Sequence, residues 1–218
     1  MSKRAIVIAT ALIAIVGFAL AGYFYKQSAP EENFAAMPLP DGGTTLIRPN
    51  SPVIGPAQAR VTIVEFFDPA CESCRAFYPV VKQIMAEHGK SARLVLRYAP
   101  LHDGSEEAVR ILETARLQGK FQPVLEALLE AQPIWASHGN PNMAKAWEAA
   151  RKAGLDEERA KREMHLPGIN AIIRQDTADM KAINLRGTPT FYVNGKPLPS
   201  FGRQQLEDLV RSEVVALK

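Results

Sequence analysis

The stretch from Phe66 to Phe77, "FFDPACESCRAF", holds the two cysteines of this 218-residue chain, Cys71 and Cys74. It follows "ARVTIVEFF", an apolar and β-branched run that predicts a buried strand. It leads into "CRAFYPVVKQIMAEHG", whose apolar residues recur at helical spacing and whose internal Pro79 predicts a kink. The sequence therefore predicts that Cys71 lies directly after a strand and opens a helix.

This position predicts a reactive thiol at Cys71. The first turn of a helix has unpaired backbone N–H groups and the positive end of the helix dipole, and both lower the pKa of a nearby thiol. Cys74 lies one turn further into the helix, where it can resolve a mixed disulfide while being less exposed. C-x-x-C in a strand–helix context thus indicates a redox-active Cys71–Cys74 disulfide that needs no other cofactor.

Other roles for two cysteines have weaker support. Structural zinc normally needs four ligands, and the chain has no second C-x-x-C and no ligand spacing among its histidines, so we expect no metal site. A structural disulfide that closes so short a loop would remove little entropy from the unfolded chain. A soft thiolate pair could hold Cu(I), and a copper-handling dithiol binding protein remains an alternative, although Met-rich and His-rich tracts are lacking.

The rest of the chain predicts an α/β fold. "ARLVLRYAP" indicates a second strand, and a helical pattern runs from Ser105 to about Ile183, broken in "QPIWASHGNPN" and near "LPGIN". "TPTFYVNGKPLP" predicts a hairpin around an Asn194-Gly195 turn, and "RQQLEDLVRSEVVAL" a closing amphipathic helix. Strand–helix–strand implies a parallel pair, the hairpin adds an antiparallel edge, and the helical block, about 104–183, is an inserted subdomain.

The N-terminus predicts export. Lys3 and Arg4 precede a segment without charge from Ala5 to Tyr25, and about 20 apolar residues span a bilayer core. We expect residues 1–25 to form a membrane anchor with the basic end in the cytoplasm. A cleaved signal is the alternative, because Ala19-Leu20-Ala21 fits a cleavage site.

Residues 26–57 have the composition of a linker. "SAPEEN", "MPLPDGG" and "RPNSPVIGP" are rich in Pro, Gly, Asn and Ser and lack periodicity. A short strand within "TTLIRP" that pairs with the sheet is the alternative. The folded domain is then 58–218, with an ordinary globular composition of 47% apolar and 22% charged residues. A net charge of +3 gives no reason to expect nucleic acid as a partner.

"VEFFDPACESC", followed far downstream by "GTPTFYVNG", resembles the thioredoxin superfamily, and specifically the DsbA-like thiol–disulfide oxidoreductases. The resemblance covers roughly residues 60–218, and it implies a thioredoxin fold with an inserted helical subdomain. It also implies that Pro189 is cis and packs against the dithiol. Thr188, the residue before it, would bind a substrate peptide as an added strand.

Three further residues gain a role from this resemblance. Glu65 stands where the DsbA-like pattern has a buried acid, and it could exchange a proton with Cys74; the alternative is a Glu that faces water or pairs with Arg97. Glu72 and Ser73 replace the Pro-His of strong oxidants and the Gly-Pro of thioredoxins. Glu72 would oppose thiolate formation, and Ser73 offers a hydrogen bond but no positive charge, so both are expected to tune the redox potential.

Taken together, these features predict an exported, membrane-tethered thiol–disulfide oxidoreductase. It would sit in a bacterial inner membrane with its catalytic domain facing the periplasm or extracytoplasmic space. Its partners would be exported proteins with cysteines and a membrane redox protein. Isomerases of this superfamily are usually dimeric, and we identify no separate dimerisation domain before Arg60. An oxidase is therefore favoured. A thioredoxin-like reductase or isomerase, kept reduced by a membrane partner, is the alternative.

Overall fold

The computed structural model describes Gly17, Leu20 and residues 46–216. The predicted membrane anchor and the first part of the predicted linker therefore lie outside the described residues. Among the residues that are described, no helix has the length and apolar character needed to cross a membrane. The elements of the described chain are β1 (Val53–Ile54), β2 (Val61–Phe67), α1 (Glu72–His88), β3 (Ala92–Tyr98), α2 (Ser105–Leu117), α3 (Phe121–Trp135), α4 (Met143–Lys152), α5 (Glu157–Glu163), α6 (Pro167–Ala182), β4 (Thr190–Val193), β5 (Lys196–Pro197) and α7 (Arg203–Val215).

The strands form one five-stranded sheet in the order β1-β3-β2-β4-β5. β2 and β3 are parallel, with Glu65 opposite Leu96 and Phe66 opposite Arg97. β4 pairs antiparallel with the other side of β2, and β5 pairs antiparallel with β4. All seven residues of β2 are buried, as expected for a central strand covered on both faces. The predicted parallel pair and antiparallel hairpin are confirmed.

The turn of the hairpin has the backbone conformation that its sequence predicts. Asn194 and Gly195 both have positive φ, 48° and 81°, as a two-residue type I′ turn requires. The Asn194 side chain also accepts a hydrogen bond from the backbone N–H of Thr62 at 2.8 Å. The turn is therefore tied to the start of β2, which fixes the register of the hairpin against the central strand.

The two faces of the sheet bury different sets of apolar side chains. The larger core lies between the sheet and the helices α1 and α7, and it continues into the helical insertion. Its members from the sheet and these two helices include Ile63, Phe67, Val81, Ile84, Phe191, Leu206 and Val210. The smaller core lies on the opposite face and consists of Leu46, Val64, Phe66, Val95, Ala99, Ile183 and Tyr192.

The helices α2 to α6 lie between β3 and β4 in the chain, which confirms a thioredoxin-type α/β fold with a helical insertion. The break expected in "QPIWASHGNPN" begins only after Trp135, so Pro133 lies inside α3. The last turn of α3 is held because Trp135 is fully buried and its Nε1–H donates to the carbonyl oxygen of Leu128 at 2.8 Å. The second break falls at Leu166, and Pro167 is the first residue of α6.

The predicted linker is wrong over residues 46–57, because this part of the chain belongs to the folded domain. Leu46 is only 2% exposed, and Arg48 pairs with Asp179 at 2.7 Å. Val53 and Ile54 form an edge strand antiparallel to β3, beyond the "TTLIRP" segment in which the alternative placed a strand. The Pro and Gly residues of this segment do not prevent it from packing on the domain, because Leu46 belongs to the smaller core and Arg48 binds Asp179.

Candidate active site

Cys71 lies at the junction between β2 and α1, as its sequence context predicts. It is the residue that caps the N-terminus of α1, with extended backbone angles, and its carbonyl oxygen accepts the N–H of Arg75 at 3.1 Å. Cys71 and Cys74 are both free thiols. The thiol of Cys71 donates to the carbonyl oxygen of Thr188 at 3.2 Å, and the Thr188–Pro189 peptide bond is cis. The structure therefore brings the dithiol and the proline loop together, and the expected cis peptide is confirmed.

The two thiols differ in exposure less than the sequence suggests. Cys71 is 6% exposed and Cys74 is fully buried. The backbone around Cys71 is also tied to α3, where the Gln132 side chain donates to the carbonyl oxygens of Pro69 at 2.8 Å and Cys71 at 3.0 Å. Gln132 in turn accepts from the guanidinium of Arg75. A disulfide that approaches this site can therefore meet the sulfur of Cys71 but not that of Cys74.

The environment lowers the pKa of Cys71 to about 6. The hydrogen bond with the Cys74 thiol is the largest cause. Burial opposes it, and hydrogen bonds from the backbone N–H groups of Cys74 and Ser73 also favour the thiolate. Burial raises the pKa of Cys74 well above its usual value. At neutral pH the pair is thus a thiolate at Cys71 and a thiol at Cys74, which is the polarity required for nucleophilic attack by the outer sulfur.

Glu65 lies in β2 with an environment unlike that of an ordinary carboxylate. It is 1% exposed, and neither of its carboxylate oxygens has a hydrogen-bond partner within the described chain. Burial, and then the negative charge of Cys71, raise its pKa to about 8. The alternative pairing with Arg97 is wrong, because the Arg97 guanidinium binds Asp176 and Asp179 instead. Glu65 is thus a protonated acid at neutral pH, electrostatically coupled to both cysteines.

The two residues between the cysteines contribute in different ways. The Glu72 side chain is 69% exposed, and its carboxylate lies 3.6 Å from Nε2 of His138. Water screens a charge in such a position, so it opposes the thiolate only weakly. Ser73 acts through its backbone N–H, which favours the Cys71 thiolate.

Sequence reasoning missed Asp68, which organises the loops around the dithiol. Asp68 is fully buried, and its carboxylate accepts from the N–H of Ala70 at 2.9 Å, from the N–H of Leu101 at 2.8 Å and from the Ser105 hydroxyl. It also bonds Nδ1 of His102 at 2.7 Å. The loop after β2 is thereby joined to the loop after β3. The sequence could have indicated this neighbourhood. Asp68 and His102 follow two strands that are predicted to be parallel, and the carboxyl ends of parallel strands meet at one edge of a sheet.

A nucleophilic thiolate at a helix start, a buried resolving thiol and an adjoining cis-proline loop define a thiol–disulfide oxidoreductase of the thioredoxin type. The family model described as "Thioredoxin" matches residues 48–211. The chain therefore belongs to the thioredoxin family.

Solved structures show the same fold. A thioredoxin-like oxidoreductase from Silicibacter pomeroyi DSS-3 is 33% identical, with a TM-score of 0.67 over 78% of this chain and 96% of that one. BdbD from Bacillus subtilis is 22% identical, with a TM-score of 0.66 over 84% and 98% of the two chains. The thiol-disulfide exchange protein alpha-DsbA2 from Wolbachia pipientis is 18% identical, with a TM-score of 0.67 over 77% and 89%.

Curated relatives match over a smaller part of their length. The Na(+)/H(+) antiporter NhaA of Herminiimonas arsenicoxydans is 31% identical over 144 residues, which are 66% of this chain and 22% of the antiporter. NhaA 1 of Mycobacterium sp. (strain KMS) is 28% identical over 163 residues, 71% of this chain and 26% of that protein. This chain thus spans about a quarter of the curated relatives it matches.

Proposed function

We propose that this protein is an exported, membrane-tethered oxidase that forms disulfides in extracytoplasmic proteins. The observation that carries the proposal is the placement of the Cys71 thiol 3.2 Å from the carbonyl oxygen of Thr188, beside cis Pro189. A client strand that pairs with the backbone of Thr188 would bring its own sulfur next to Cys71. Main-chain pairing of this kind recognises extended segments with little regard to sequence, which suits varied clients.

The oxidation proceeds by two exchanges of sulfur partners. A client thiolate attacks the Cys71 sulfur of the Cys71–Cys74 disulfide, forms a mixed disulfide and expels the Cys74 thiolate, which takes up a proton. A second client thiolate then attacks the client sulfur and expels the Cys71 thiolate. Two electrons pass to the protein, the client gains a disulfide, and the client's two protons are released or taken up by the protein. Glu65, which is buried and electrostatically coupled to Cys74, would deliver the proton that Cys74 needs.

The low pKa of Cys71 supports the oxidising direction. Stabilising the thiolate stabilises the reduced protein, and a stable reduced form makes the disulfide a better oxidant. A reductase or isomerase runs the same exchanges in reverse and needs a membrane partner that keeps the dithiol reduced. The equilibrium constant of the Cys71–Cys74 couple against glutathione separates these roles. A glutathione mixture that leaves a thioredoxin disulfide oxidised reduces most of an oxidase disulfide.

Export and tethering rest on the N-terminal sequence. The uncharged segment from Ala5 to Tyr25, after Lys3 and Arg4, supports an anchor in the bacterial inner membrane with the domain on the periplasmic or extracytoplasmic side. An oxidase must be reoxidised after each client, so we propose a membrane redox protein as its second partner. Fractionation of cells that express the full chain tests this placement: a protein found entirely in the cytosol would contradict it.

The activity is tested by oxidative refolding of a reduced, unfolded protein, with free thiols counted over time. We expect Cys71→Ser to abolish turnover and Cys74→Ser to accumulate mixed disulfides with the client, because the resolving sulfur is lost. Both variants should retain the circular dichroism spectrum of the parent protein. A Cys71→Ser variant as active as the parent would overturn the proposal. Tight Cu(I) binding by a protein that exchanges no disulfides would favour the copper-handling alternative instead.

A further inference from the structure

The dithiol motif of this protein contains no cation. Glu72 and Ser73 stand between the cysteines, so the motif itself offers the Cys71 thiolate backbone N–H groups but no positive side chain. His102, in the loop after β3, lies outside the motif and has no role in the proposed function so far. Its surroundings suggest one, which rests on the oxidoreductase function proposed above.

His102 is oriented by a residue that also contacts both cysteines. Its Nδ1 lies 2.7 Å from the buried carboxylate of Asp68, and its backbone N–H donates to the same oxygen at 3.1 Å. The backbone N–H of Asp68 donates to the sulfur of Cys74 at 3.5 Å, and its carbonyl oxygen accepts the N–H of Cys71 at 3.1 Å. Because the carboxylate keeps a proton on Nδ1, Nε2 is the ring nitrogen that gains or loses the titrating proton.

The His102 imidazole borders a small opening beside the start of α1. A cavity of about 210 Å³ is lined by Ala70, the residue before the nucleophile, together with His102 and His138. The rings of His102 and His138 are 6.3 Å apart, and Nε2 of His138 lies 3.6 Å from the Glu72 carboxylate. The side chain of His102 is 37% exposed, so it exchanges protons with solvent.

The charges around His102 favour its protonated form. Partial burial lowers its pKa, but the hydrogen bond to Asp68 and the negative charges of Asp68, Cys71 and Glu72 together raise it above the ordinary value. Electrostatic coupling is mutual: if the Cys71 thiolate favours the imidazolium, the imidazolium favours the thiolate to the same extent. On the other side of the loop, a second cavity that His102 also lines is bordered by the charged or titratable side chains Asp103, Glu106, Glu107, Arg110 and His165.

We propose that His102, held in place by Asp68, supplies from the loop after β3 the positive charge that the Glu72–Ser73 pair lacks. His102 is then the electrostatic partner of the Cys71 thiolate, and Asp68 is a positioning residue. The imidazolium stabilises the reduced protein and makes its disulfide more oxidising. This contribution is present only while His102 is protonated, so it disappears at alkaline pH.

The test uses reduced and oxidised forms of the full-length protein with three substitutions. His102→Asn can still donate to Asp68 but carries no charge, His102→Lys restores a positive charge, and His88→Asn removes a histidine at the far end of α1 as a matched control. Thiolate absorbance at 240 nm is followed against pH. We expect His102→Asn to raise the pKa of Cys71 by less than about one unit, because water screens the charge of the partly exposed His102. His102→Lys should restore most of the shift, and His88→Asn should leave it unchanged.

The equilibrium with glutathione gives a second readout. We expect the His102→Asn disulfide to be several-fold less oxidising near neutral pH and to approach the parent protein at alkaline pH, as His102 loses its proton. A merely structural role would not produce a difference limited to this pH range. An unchanged Cys71 pKa in a folded His102→Asn protein would overturn the inference, as would a His102→Lys protein that behaves like His102→Asn. Failure of the proposed function is seen separately, as absence of client oxidation by the parent protein.

Discussion

Buried ionisable side chains have different surroundings on the two faces of the sheet. On the face that carries the dithiol, Glu65 is buried and its carboxylate has no hydrogen-bond partner in the described structure. On the opposite face, the fully buried Arg97 binds Asp176 at 2.8 Å and Asp179, and also donates to the carbonyl oxygen of Leu46. In β3 and β2 these sites are almost neighbours, since Arg97 lies opposite Phe66, the residue after Glu65.

The difference separates what the fold needs from what the chemistry needs. A buried ion pair with additional hydrogen bonds costs little overall, but losing one partner leaves an uncompensated charge. A buried acid without a partner stays protonated instead and holds a proton that a nearby group can use. The Arg97 side of the sheet is therefore expected to respond to mutation in its stability, and the Glu65 side in its pH dependence.

The largest effect is expected on the Arg97 side. Arg97→Met leaves Asp176 and Asp179 buried without this cation and should lower the free energy of unfolding by about 3–5 kcal/mol. Urea unfolding of the purified protein measures this loss. Arg159→Gln is the matched control: it breaks a surface pair with Glu163 and should leave the free energy of unfolding nearly unchanged.

An Arg97→Met protein as stable as the parent would contradict this comparison, because it would show that the buried cation contributes nothing to stability. Should this variant fail to fold, Arg97→Lys, which keeps the charge but loses the forked geometry, should give a smaller loss that urea unfolding can still quantify.

Glu65→Gln should instead change how stability depends on pH. The pKa of Glu65 is raised from 4.5 to about 8 in the folded protein, so the folded state holds a proton that the unfolded state has released. The stability of the parent protein should therefore fall relative to that of the variant as pH rises from about 4.5 to 8, by at most about 1.4 kcal/mol per pH unit.

Urea unfolding of the parent protein and of Glu65→Gln, both with reduced cysteines, at a series of pH values measures this slope. The lowered pKa of Cys71 acts in the opposite direction above pH 6. Below about pH 8 it acts alike in both proteins, because protonated Glu65 is uncharged like Gln, so it cancels in the difference. If the two stability curves ran parallel, the pKa of Glu65 would not be raised in the folded protein.

The smallest effect is expected from the exposed acid at the same dithiol. Glu72→Gln removes a screened charge, so we expect the pKa of Cys71 to fall by less than about half a unit. Alkylation of Cys71 by iodoacetamide against pH, followed by mass spectrometry, gives this value. A shift as large as that expected for His102→Asn would show that exposure does not weaken the influence of Glu72.

Much of the fold could be predicted because its signals are local. The strand before Cys71, the helix after it and the Asn194-Gly195 turn each follow from a few adjacent residues. The cis state of Pro189 came from the family resemblance alone, since Gly-Thr-Pro-Thr by itself fits an ordinary strand entry.

The parts that sequence missed depend on distant partners. Arg48 and Asp179 are 131 positions apart, so nothing in the Pro-rich segment around Arg48 indicates that it docks. Asp68 and His102 are 34 positions apart, and the predicted parallel pairing of β2 and β3 indicates only that their loops share one edge of the sheet, not that these two side chains bond. The hydrogen bonds from Gln132 to the carbonyl oxygens of Pro69 and Cys71 join residues 63 and 61 positions apart, so no local pattern indicates them either.

The two outer strands of the sheet bear on the resistance of this protein to aggregation. Each is two residues long, β1 at one rim and β5 at the other, and β5 ends in Pro197, which has no backbone N–H to offer. An exposed sheet edge can pair with an extended segment of another chain and so start aggregation. Outer strands as short as β1 and β5 offer few unpaired backbone groups for such pairing.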